Sequence, residues 1–197
     1  MFNRTKYAKA AEKALEPNIY KHSLAVESCM DGLYEHLKKE GRTVRELGSK
    51  EDWLLAGLIH DIDYAGNYKA DHPAKTREAL ADHDLEISDK VFEIVQDHNA
   101  GHSGIKPKSL AGWAIFTADS LTGLIVAVAL VYPTRQLADV KLSSIIKRFL
   151  KEPKFAAGTR REDVKQCELA DGLNIPLERF VEICLFSMQA IASSLGL

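Results

Sequence analysis

Four residues carry metal-binding or acid–base chemistry at positions that face the interior of a folded chain: His22, His60, Asp61 and Asp119. A neutral imidazole offers a nitrogen lone pair, and an ionised carboxylate offers oxygen donors. Two of each suit Mn, Fe, Co, Ni or Zn at an open site, and the lack of Cys ligands disfavours a closed structural zinc. An unpaired buried carboxylate costs several kcal/mol or titrates until neutral. A divalent cation would satisfy all four groups at once. The His-Asp dipeptide alone carries little weight. His83-Asp84 repeats it inside the polar stretch ADHDLE and is assigned to the surface. His36 follows His22 by 14 residues, about 21 Å along a helix, and cannot share its ion.

Helical periodicity places these groups. Short spacings of apolar residues dominate, β signals are weak, and the fold is expected to be all-α. A first helix spans 5–15 and stops before Pro17. A second, 18–39, carries Ile19, Val26, Met30, Leu33 and Leu37, with His22 on the same apolar stripe. Ser49 begins a third helix, apolar on most sides, which runs into His60-Asp61-Ile62-Asp63 and a loop over 64–70. Pro73 fits the first position of a helix over 73–82, with His72 as its cap. Ser88 caps a helix over 89–99, and a glycine-punctuated loop containing His102 follows. Residues 110–131 form an apolar helix with Asp119 near its middle, and 136–150 a basic amphipathic one. Thr159 to Glu162 has the form of a capping box for a helix to about 171, and Pro176 opens the last helix.

Composition sets further bounds. The 197 residues are 46% hydrophobic and 27% charged, within the globular range. Such a chain buries roughly two-thirds of its unfolded surface without a disulfide or a structural metal. Its 26 basic against 28 acidic residues leave a net charge of −2, which argues against general nucleic-acid or anionic-membrane binding but not against a local phosphate site. Cys29, Cys167 and Cys184 are too scattered for a disulfide framework, and the opening stretch MFNRTKYAKAAEKALEP lacks the apolar core of a signal peptide. The chain is read as reduced and cytoplasmic. In a membrane, Asp119 would cost about 2.5–3.5 kcal/mol, so 110–131 is read as a core helix.

The order His22, His60-Asp61, Asp119 resembles the signature of the HD-domain superfamily of metal-dependent phosphohydrolases. LAGLIHDID is similar to its HDIG-type bacterial members, and KHSLAVE, ADSLTGLIVAVALVYP and KFAAGTRRE extend the likeness over nearly the whole chain. The resemblance implies a single helical-bundle domain over 1–197, with an HD core at about 18–130, a C-terminal extension at about 136–197 and the metal site at the centre. It also implies one ion held by His22, His60, Asp61 and Asp119, and a second held by His72 and His98 with Asp61 bridging. The sequence departs from HDIG at Asp63, which replaces the glycine, and no lysine follows. Asp63 is assigned a catalytic role, orienting the nucleophilic water or a histidine; capping a neighbouring helix is the alternative. His102 is a substitute ligand or proton donor, with a solvated loop residue as the bland reading.

The implied activity is hydrolysis of a phosphate mono- or diester, nucleotides included, by a metal-activated water. Lys147 and Arg160 are the cations selected for phosphate contact. The partner is thus a small phosphoester. Two other readings use the same ligands: a di-iron oxygenase and a non-catalytic nucleotide sensor.

Overall fold

The computed structural model describes residues 3–197, and among them it is all-helical, with no strand. The helices are α1 (Arg4–Ala14), α2 (Pro17–Lys39), α3 (Val44–Leu47), α4 (Lys50–Ile59), α5 (Thr76–Ala81), α6 (Asp89–Asp97), α7 (Ala100–Ser103), α8 (Leu110–Val131), α9 (Leu142–Lys151), α10 (Arg161–Lys165), α11 (Leu177–Ala190) and α12 (Ala192–Leu195). Three 3₁₀ turns, at Gly66–Asp71, Leu137–Asp139 and Gln166–Glu168, join some of them.

The centre is α8. Its apolar residues are covered by α2, α6, α9, α10 and α11, and Leu121, Leu124, Ile125 and Val128 are fully buried. Its length and hydropathy suit a membrane span, but its most apolar stretch is 67% buried by these neighbours, so its place in the core accounts for its composition. Helix α2 lies against α4, α8 and α11 and buries Val26, Met30, Leu33 and Leu37. The approach of α4 to α2 depends on a glycine: a Cβ on Gly57 would sit 2.8 Å from Glu27 Cα. All three cysteines are buried thiols.

Side-chain caps explain several helix starts. Ser49 accepts from Glu51 N, Ser88 from Val91 N and Ser109 from Gly112 N. Helix α3 is not among the expected elements; a Thr43–Glu46 capping box opens it.

Other boundaries differ from expectation for identifiable reasons. The helix expected over 73–82 begins only at Thr76, with Lys75 as its cap residue. Pro73 precedes the helix, its carbonyl occupied by Thr76 Oγ1 and Gln96 Nε2, so His72 does not cap α5 but closes the 3₁₀ turn Gly66–Asp71. The expected 136–150 helix is divided. Gln189 Nε2 takes the carbonyls of Leu137 and Val140, and the helix starts at Leu142. The 89–99 helix breaks at His98, and α7 follows. The Thr159 capping box does not form. Arg160 holds the cap position, its side chain drawn to two carboxylates, and α10 ends at Lys165 instead of 171.

Candidate metal centre

Four helices and one turn converge on a small interior. His22 comes from α2, His60 and Asp61 from the end of α4, His72 from the turn before α5, His98 from the end of α6 and Asp119 from the middle of α8. His60 is fully buried, while the Asp61 and Asp119 side chains retain 14% and 12% exposure.

The orientation of each ring follows from its outer nitrogen. His60 Nδ1 lies 2.9 Å from the Gly57 carbonyl, and His98 Nδ1 contacts the Val95 carbonyl. A carbonyl can only accept, so both Nδ1 atoms carry the proton. His72 Nδ1 donates to the Asp63 carboxylate at 2.7 Å. Thr122 Oγ1 gives its own proton to the Asp119 carbonyl at 2.9 Å and therefore accepts from His22 Nδ1 at 3.0 Å. All four rings thus turn Nε2 inward, the orientation that metal-binding histidines adopt; His60, His72 and His98 present a lone pair there, while His22 Nε2 shares a proton with Asp119 Oδ1 at 2.9 Å, which a cation would displace.

Those nitrogens meet in two sets. The Nε2 atoms of His22 and His60 are 3.2 Å apart, and those of His72 and His98 are 2.9 Å apart. In the His72/His98 pair two neutral lone pairs face each other, and they repel unless an electrophile lies between them. Two nitrogens bound at right angles, each about 2.1 Å from one ion, stand about 3.0 Å apart. Asp61 connects the sets. Its Oδ2 is 3.5 Å from His60 Nε2 and 3.7 Å from His22 Nε2, while its Oδ1 is 3.4 Å from His72 Nε2 and 3.9 Å from His98 Nε2. Asp119 Oδ1 completes the first set, 2.9 Å from His22 Nε2. The groups His22–His60–Asp61 and Asp61–His72–His98 each have donors close enough to hold a cation, and the nitrogen–oxygen set fits a divalent transition metal.

The electrostatics agree with this fit. Burial opposes ionisation of Asp119, but the hydrogen bond from His22 and the charges of His22, His60 and His98 outweigh it and hold the carboxyl well below the usual range. Asp61 is also lowered; burial is overcome there by the charges of His60, His22 and His98. Burial, then the charge of His60, depresses His98 to about 4, so its lone pair is free at neutral pH. Burial disfavours a charge on His22, yet the bond to Asp119 and the charges of Asp119 and Asp61 raise its pKa. A field that stabilises a proton there also attracts a cation, which displaces it.

The six residues expected as ligands come together. The remaining candidates separate. Asp63 is not placed to touch a nucleophile: it is fully buried and accepts from His72 Nδ1 and from Lys75 N at 2.9 Å. Of the roles expected for it, the contacts are those of orienting a histidine, His72, and of capping the turn before α5. Lys147 is exposed, lies 3.8 Å from Glu152 and does not line the opening to the centre; it belongs to a solvated face. His102 is exposed on α7 and makes no ring contact with the cluster among the described residues. His83 is half-buried in a separate surface cavity with Ile62 and Asp82. Arg160 does reach the centre, donating from Nη2 to Asp119 Oδ2 at 2.9 Å and from Nε to Asp163 Oδ2 at 2.8 Å.

Sequence reasoning missed Thr122 and Asp163. Each stands three residues after a selected one, Asp119 and Arg160, a spacing that puts both on the same helix face. It could not reveal the Gly57 and Val95 carbonyls as ring anchors. The opening is a cavity of about 270 Å³ lined by His22, Asp119, Ser120, Thr159 and Arg160, among others. Ser120 Oγ is buried in its wall with no hydrogen-bond partner.

The role of Asp63 is open to direct measurement. In Asp63→Asn, the amide oxygen can keep the Lys75 N–H while the NH₂ faces His72, favouring protonation at Nε2. Metal affinity at the His72/His98 pair is expected to fall about 10–100-fold, with the His22/His60 pair retained. A chelator-competition titration would show one tight equivalent in place of two.

A family model described as HD domain matches residues 19–124, more than half of the chain. No curated protein and no solved structure matches the chain.

Proposed function

The chain belongs to the HD-domain family, and from that premise we propose that it hydrolyses a small phosphate mono- or diester, nucleotides included, with two divalent transition-metal ions. The observation that carries this reading is the inward aim of four Nε2 atoms around one two-sided carboxylate, Asp61. Bound there, the metals supply an activated water and polarise a phosphoryl oxygen.

The chain's own groups do the rest. Asp61 presents one oxygen to each histidine pair and holds the two positions in register. His22 and Asp119 also line the opening, so a phosphoryl group entering beside them reaches the centre directly. Arg160 is the cation at that opening, and the Thr159 hydroxyl stands in the same wall to donate to a phosphoryl oxygen. The HDIG-type bacterial placement belongs to this proposal, supported by the sequence LAGLIHDID; so does a cytoplasmic setting.

Protein reconstituted with Mn²⁺, Co²⁺ or Zn²⁺ and assayed on a panel of nucleotides and simple phosphoesters is expected to release phosphate or an alcohol. Chelation should stop turnover, and readdition of metal should restore it. Metal-loaded protein that consumes oxygen with an organic substrate and leaves every phosphoester intact would replace hydrolysis with oxygenation.

A further inference from the structure

Asp119 differs from the other ligands in what holds it. It projects from the middle of α8, Oδ1 faces His22, and the partner of Oδ2 is Arg160. Arg160 lies beyond the segment matched by the family model, at the cap position of α10. Its guanidinium is gripped along two edges: Nη2 serves Asp119, and Nε serves Asp163, which is largely buried, with 15% side-chain exposure. A forked group fixed in this way has one orientation, whereas a lysine in the same place would offer a single point charge.

Asp163 also lies against α7, the short helix that follows His98. A Cβ on Gly101 would fall 2.9 Å from Asp163 Oδ2, so the segment after His98 runs close past this carboxylate. Asp163 thus stands between the strut that holds Asp119 and the short helix that follows His98.

We propose that Asp163 and Arg160 form a positioning relay, supplied from outside the matched domain, that fixes the Asp119 carboxylate with Oδ1 toward the His22/His60 position. The inference rests on the metal-centre reading above. Neither residue needs to touch the ion: Asp163 holds Arg160, and Arg160 prevents rotation of the carboxylate away from the histidines. The relay acts on one metal position and leaves His72 and His98 alone.

Cobalt titration of the full chain tests it, with the d–d absorption of Co²⁺ as reporter of ligand geometry and a melting curve run in parallel. Arg160→Gln and Asp163→Asn are expected to weaken one cobalt equivalent about 10–100-fold and alter its spectrum, with the other equivalent unchanged. Arg160→Lys, which keeps the charge but not the fork, should fall in between. Wild-type affinity and spectrum in both Arg160→Gln and Asp163→Asn would overturn the relay. Equal weakening of both equivalents with a matching drop in Tm would do so too, since it marks a general loss of structure. Wild-type protein that takes up no cobalt would remove the metal centre itself, a failure distinct from either.

Discussion

Asp61→Ala protein is expected to hold neither metal tightly and to release phosphate no faster than the chelated wild type. The reason is geometric. Among the described residues, Asp61 is the carboxylate that lies within 4 Å of all four Nε2 atoms, at 3.4–3.9 Å. Its removal takes a charged donor from both positions and leaves two pairs of imidazoles with no carboxylate between them. The loss should not come from unfolding. Asp61 makes no cap or helix contact that the bundle depends on, so circular dichroism of the variant should overlay that of the wild type. His83→Ala, the substitution at the other His-Asp dipeptide, should keep its full metal content. Elemental analysis of the two proteins purified side by side decides the matter. Full metal in Asp61→Ala would mean that the histidines bind without the bridge.

Gly57→Ala is expected to lower stability and weaken the metal centre together. Helix propensity alone argues the reverse, since replacing glycine with alanine inside α4 should gain about 0.8–1 kcal/mol. Position 57, however, lies against α2, where a Cβ would come within 2.8 Å of Glu27 Cα and 3.0 Å of Glu27 N. Backbone cannot rotate aside as a side chain can, so α4 must shift outward. Overpacking of this kind costs about 1–3 kcal/mol, or about 2–4 °C in Tm for each kcal/mol in a chain of this size. The Gly57 carbonyl also anchors His60, so the same shift moves a ligand. Denaturant melts and metal titration should therefore change in parallel. A stabilised variant with wild-type metal affinity would show that the helices can separate freely.

Much of this was readable from residue order, and the limits have physical causes. The inward turn of His22 followed from its place between Ile19 and Val26, and the extent of α8 from unbroken apolar character over 110–131. Such patterns are local and repeat with the helix period. Pro73 misled because proline opens a helix only where the neighbouring backbone is free to start one. Here its carbonyl and the next turn are held by Thr76, Gln96 and Asp63. Lys147 misled because a basic helix face looks alike in sequence whether it meets phosphate or water. Arg160, chosen on similar grounds, reaches the centre because α10 packs against α8, a long-range fact that no local pattern encodes. The Asp63 departure from HDIG makes sense only once His72, nine residues later, is seen to swing back onto it.

The four ring anchors are of two kinds. At each proposed ion one imidazole is tethered to main chain, His60 by Gly57 and His98 by Val95, while its companion is tethered to a side chain, His22 by Thr122 and His72 by Asp63. Substitution cannot delete a peptide carbonyl, so the anchors of half of the histidines are insulated from side-chain substitution. Thr122 and Asp63 are then two independent adjustment points, through which the preference of either site for one element over another could drift, or be engineered, without rebuilding the bundle.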